Sequence, residues 1–117
     1  MKYNEMVKRL AKDGKLILGQ MEPYQAYIWH MATGVSGEAG ELLDAVKKHV
    51  VYQKPLDRVN IIEELGDLEF YMEGLRQQLG ISRKQTLEQN KRKLAVRYAG
   101  YEYSNEAAQN RADKEDE

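Results

Sequence analysis

The sequence predicts an all-α fold, an antiparallel bundle of about four helices, and three observations carry that reading. Ile61, Leu65, Leu68, Met72, Leu75 and Leu79 recur with helical period until Gly80. The segment between Pro23 and Pro55 is rich in Ala, Met, Leu and Val and contains no proline, which suits one long helix. No stretch alternates apolar with polar residues as a half-buried strand would, and no unit repeats at solenoid length.

The elements follow in order. Tyr3, Met6, Val7 and Leu10 share helical spacing, so a first short helix ends near Gly14; the apolar triplet Leu16, Ile17, Leu18 packs in a state the pattern leaves open. Pro23 suits a first helical turn, and the long helix runs from about Pro23 to Tyr52. Gly34, Gly37 and Gly40 each cost about 1 kcal/mol relative to alanine, which predicts a kink or break near Gly34 to Ser36. Asp57 is a good N-cap for the striped helix, Gly80 closes it, and Ser82 caps a last main helix from about Arg83 to Tyr98. A further turn starts at Ser104. Residues 1–103 are expected to form a single helical domain and 104–117 a polar tail, its charged end Asp113 to Glu117 disordered.

The 117 residues are one domain by length, small enough for a partner subunit to supply part of the core. Basic and acidic residues nearly cancel, 18 against 19, so no global field argues for nucleic acid or an anionic membrane. Cysteine is absent, which excludes disulfides and thiolate metal sites. Met1 to Lys12 is too charged for a signal peptide, and no apolar run approaches the roughly 20 residues that span a bilayer. A cytoplasmic protein is the expectation.

Chemistry concentrates between Glu38 and Asp67. Glu38 with Glu41, and Glu64 with Asp67, are acidic pairs three apart on two predicted helices, so each pair shares a helix face. On a helical wheel Val35, Leu42 and Val46 face the core with both glutamates at its edge, an edge shared by Tyr27 and His30. On the next helix Asn60, Glu64, Asp67 and Tyr71 fall on one flank, roughly 60° to 120° from the apolar stripe, while Glu63 points nearly opposite. Four converging carboxylates repel unless a cation sits among them, and oxygen ligands alone suit Mg²⁺ first and Mn²⁺ second. Asn90, Lys93 and Arg97 line a flank of the last helix, fit to grip phosphate oxygens. His30 reads as a packed or hydrogen-bonded residue, Trp29 as an interface or core residue.

The spacing Glu38-x-x-Glu41, 22 residues, Glu64-x-x-Asp67, set in GEAGELLDAVKK and IIEELGDLEFY and followed by NKRKLAVRY, resembles the MazG-like nucleotide pyrophosphohydrolases of the all-α NTP pyrophosphatase superfamily. The resemblance runs from about Tyr24 to Arg111. It implies Mg²⁺-dependent cleavage of a (deoxy)nucleoside triphosphate to the monophosphate and pyrophosphate by a metal-activated water attacking the α-phosphorus. Glu38, Glu41, Glu64 and Asp67 become the metal ligands, with Glu41 or Glu38 also the general base. Asn90, Lys93 and Arg97 bind phosphates or sugar, and Tyr71 stacks on or borders the base. Relatives are homodimers or homotetramers in which the helices of two chains build one bundle. One departure stands out: Gly37 occupies the position before the first glutamate, where many relatives carry a further acid.

Two other readings compete. Residues 60 to 98 form helix, turn, helix, and Ser82 to Tyr98 carries six basic residues against one acid, Glu88; this superficially fits a helix-turn-helix nucleic-acid binder. Against it stand the near-neutral chain and the acids it leaves unexplained. A non-catalytic helical oligomer is the third.

Overall fold

In the computed structural model, which describes residues 1–114, every regular element is helical and no strand occurs among the described residues. Glu115 to Glu117, part of the end expected to be disordered, lie outside the described residues. No helix of the described residues is long and apolar enough to cross a membrane. The chain divides into two compact units, Met1–Leu75 and Arg76 onward.

In the first unit α1 spans Tyr3–Leu10 and α2 spans Gly14–Gln20. The triplet left open in the sequence is therefore helical, and Gly14 starts a helix instead of ending one, since α1 already stops at Leu10. The reason is Asp13: its Oδ1 accepts the Lys15 N–H at 2.9 Å, satisfying an orphan donor of the new first turn.

The long helix α3 spans Pro23–Val50, with Pro23 in the first turn and the Glu22 N–H donating to Gln25 Oε1 at 2.7 Å. It is continuous through Gly34 to Ser36, so the expected break is absent. Gly34 serves packing instead: a β-carbon there would overlap the ring of Tyr71. After α3, His49 donates from Nδ1 to the Lys54 carbonyl at 2.7 Å, and Gln53 adopts a left-handed backbone (φ 54°), which together turn the chain back.

The next helix, α4, spans Arg58–Leu79, and Asp57 caps it by accepting the Asn60 N–H at 3.1 Å. Contacts pair Met31 with Gly74, Gly34 with Tyr71, and Glu38 with Glu64 and Asp67. As one number rises the other falls, so α3 and the first-unit part of α4 run antiparallel. Their seam is thin. Met31, 6% exposed, and Ala45, 9% exposed, are the buried apolar residues among those described, with Val35, Leu42, Ile61 and Leu68 half-buried. Leu65, expected to face the core, is 49% exposed, and Leu43, Val46, Ile62 and Phe70 are exposed as well. The apolar arc of each helix is wider than one neighbour can cover.

The second unit begins with the end of α4. Gly80, at φ 66°, lets Ile81 N–H reach the Arg76 carbonyl (2.9 Å) and Gly80 N–H the Gln77 carbonyl (3.3 Å), a Schellman closure. Ser82 and Gln85 cap α5, Arg83–Arg97, reciprocally: Gln85 N–H to Ser82 Oγ at 3.0 Å and Ser82 N–H to Gln85 Oε1 at 2.8 Å. A 3-10 turn, Ala99–Tyr101, leads to α6, Asn105–Asn110, which Ser104 caps by accepting the Ala107 N–H, and to a last 3-10 turn, Ala112–Lys114. Arg97 holds this last turn against α5: its Nε donates to Asp113 Oδ1 at 2.9 Å and its Nη2 to Oδ2 at 3.4 Å, with both side chains mostly buried.

Candidate metal centre

Glu38 lies seven residues from both Met31 and Ala45, so it returns to the buried line of α3 and interrupts it with a carboxylate. On α4, Glu64 stands between Ile61 and Leu68 at spacings of three and four, on a line that is half-buried throughout. The wheel put both glutamates beside the apolar stripe; in the folded chain they belong to it. Carboxylate oxygens of Glu38, Glu64 and Asp67 all lie within 4.8 Å of one another, Asp67 at the exposed edge. Glu41, one turn on, is exposed and stands outside this set of three. Glu63 is exposed, as its place on the wheel implied.

The electrostatics follow from this placement. Glu64 Oε2 is buried and has no hydrogen-bond partner. Burial is the largest influence raising the Glu64 pKa; the adjacent Glu38 carboxyl, close enough to share a proton, comes next, followed by the negative fields of Glu38, Asp67 and Glu41. With both carboxyls ionised, Glu64 has no donor to accept from and three acids pressing on it. A hard divalent cation would answer both defects, because it supplies positive charge and takes carboxylate oxygens as ligands without needing nitrogen or sulfur. The donor set fits such an ion.

Next to the acids lies an aromatic shelf. Tyr71, one turn after Asp67, rests on the α3 backbone at Gly34, meets His30 edge-on at 6.2 Å and 87°, and meets Phe70 at 5.2 Å and 90°. Trp29 is exposed and borders a separate cleft with Ile17, Met21 and Gln25.

Comparison with known families bears on this arrangement. The family model of the MazG nucleotide pyrophosphohydrolase domain matches residues 29–100. The chain belongs to that family. MazG membership implies a hydrolase of the nucleotide pyrophosphatase class, and the matched residues contain both acidic pairs, Tyr71, Asn90, Lys93 and Arg97. A search of curated proteins and a search of solved structures each returned no match.

Among the MazG-motif residues of the second unit, Asn90 is exposed and Lys93 half-buried, while Arg97 is committed to Asp113. Sequence reasoning missed Asp113, since an acid in a charged tail carries no signal of its partner. It also missed Gly34 as the seat of Tyr71; a glycine that costs helix propensity in mid-helix was the available sign.

Proposed function

We propose that this MazG protein is a divalent-cation-dependent nucleoside triphosphate pyrophosphohydrolase that releases a (deoxy)nucleoside monophosphate and pyrophosphate. The observation that carries this reading is the convergence of Glu38, Glu64 and Asp67 around a buried, partnerless Glu64 oxygen.

Glu38, Glu64 and Asp67 hold the cation, Mg²⁺ before Mn²⁺, with Glu41 beside them. When bound, the ion draws charge from the phosphate oxygens and eases both attack by water and departure of pyrophosphate. Glu41, exposed and outside the tight set, is the acid freest to take the proton of the attacking water, and Glu38 is the other candidate. A water oxygen forms the new bond to the α-phosphorus as the bond to the bridging oxygen breaks, and pyrophosphate leaves. Asn90 and Lys93 bind phosphate oxygens, Arg97 adding the donors that Asp113 does not engage. Tyr71 borders the base or sugar, braced from behind by the α3 backbone. Assembly into a homodimer or homotetramer completes the core, a reading supported by the exposed apolar residues of α3 and α4. A cytoplasmic setting suits the cysteine-free sequence.

The test is pyrophosphate release from a panel of canonical and modified nucleoside triphosphates, with Mg²⁺ and with chelator. Release that needs the cation supports the proposal. Absence of turnover together with salt-steep duplex binding would instead favour a nucleic-acid reader built on α5.

A further inference from the structure

Arg97 belongs to the residues that the family model matches, yet the anion that holds it comes from beyond them. The match ends at residue 100, and Asp113 lies past it on the last 3-10 turn, Ala112–Lys114. Its carboxylate meets the Nε and Nη2 edge of the guanidinium with both oxygens, Oδ1 at 2.9 Å and Oδ2 at 3.4 Å. A phosphate takes an arginine fork in the same two-oxygen manner. Asp113 therefore stands where a phosphate would.

The fork is also covered. The Arg97 side chain is 16% exposed and that of Asp113 6%, so a phosphate chain arriving from solvent finds this edge already taken. The cover is lightly anchored. The buried apolar residues among those described, Met31 and Ala45, both lie in the first unit, so no apolar core fixes the segment from Ala99 to Lys114 against α5. Leading into the last turn, Arg111 holds a left-handed backbone at φ 50°, which is unfavourable for a residue with a β-carbon. An ion pair, unlike an apolar core, can be exchanged for another anion.

We propose that the segment after residue 100 is an autoinhibitory strap: its Asp113 carboxylate occupies the phosphate-gripping edge of Arg97, and an incoming polyphosphate displaces it. This rests on the reading of Arg97 as a phosphate ligand. The exchange replaces one anion by another, so it leaves no guanidinium buried without a counter-charge. Binding and release are reciprocal: a bound polyphosphate frees the turn, and whatever holds the turn down weakens binding by the same factor.

The experiment titrates pyrophosphate, with Mg²⁺ present, into the full chain, Asp113→Asn, Arg97→Gln and the double variant, read by calorimetry. Asp113→Asn should bind about fivefold tighter or more, the lower end of coupling between sites, and the Arg97→Gln background should erase that gain. In the wild-type chain, which needs no variant to fold, pyrophosphate should speed amide exchange over α6 and the last turn. Weaker binding by Asp113→Asn would make Asp113 a support that orients Arg97, and would overturn the strap. So would unchanged binding, a gain that survives Arg97→Gln, no binding to any of the four chains, or exchange that pyrophosphate leaves unchanged or slows. The hydrolytic reading fails separately, by absence of pyrophosphate release from every triphosphate offered to the wild-type chain with Mg²⁺, and the pyrophosphate titration still decides the strap in that case.

Discussion

The Tyr71 ring lies so close to the α3 backbone at Gly34 that a single methyl group added there would overlap it. Two helices thus approach through a ring and a hydrogen, one turn from the acids on each side. Gly34→Ala should therefore destabilise the protein by about 1 to 3 kcal/mol through overpacking, less the roughly 1 kcal/mol that alanine contributes to helix propensity. Gly40→Ala, with open space around the added carbon, should stabilise by up to about 1 kcal/mol. Thermal unfolding of the two variants checks the contrast, and a stable Gly34→Ala would mean the ring is free to move.

A second expectation concerns pH. Glu64 titrates above its ordinary value of 4.5 because burial and Glu38 disfavour its charge. The folded chain then holds a proton that the unfolded chain has released, so without metal its stability should fall as pH rises from 4.5 through the raised value. Added Mg²⁺ or Mn²⁺ should restore the melting temperature at neutral pH. Melting curves that ignore both pH and cation would contradict the picture.

Removing charge from the site should separate catalysis from folding. Glu38→Gln, Glu41→Gln and Asp67→Asn should each lower pyrophosphate release by about a hundredfold or more, since even residues that only support metal ligands cost tenfold to a hundredfold. Glu64→Gln should do the same while raising cation-free stability, because a buried ionised acid is replaced by a neutral amide. Circular dichroism should show unchanged helix content, and full turnover in any of the four would remove that residue from the site.

The Arg97–Asp113 pair offers a test of the last turn. Asp113 titrates below its ordinary value and Arg97 above its own, each mainly through the hydrogen bond they share. Asp113 therefore contributes stability that is present above pH 3.8 and lost as pH falls below it. Asp113→Asn should speed amide exchange across α6, measured at neutral pH, and leave α3 unaffected. Uniform exchange rates in wild type and variant would show that the pair holds nothing in place.

Much of this was legible because local rules dominate it. Asp57, Gly80 and Ser82 mark helix ends through bonds made within a few residues, and all three marks hold in the structure. The acidic pairs were legible as spacing. What the wheel could not supply was the direction of the partner: it centred α4 on its apolar residues, Leu65 included, whereas α3 meets the line through Ile61, Glu64 and Leu68. Gly34 was read through backbone propensity alone, and only the position of Tyr71 reveals its use. Asp113 pairs across sixteen residues, beyond the reach of any helical period.

The glutamates set in the seam between α3 and α4 have one more consequence. A leucine at either place would hold the two helices shut under all conditions; a carboxylate does so only when its charge is neutralised. On the proposed reading, the fraction of time this hairpin spends open, and with it exposure to proteases, should therefore fall as divalent cation is added.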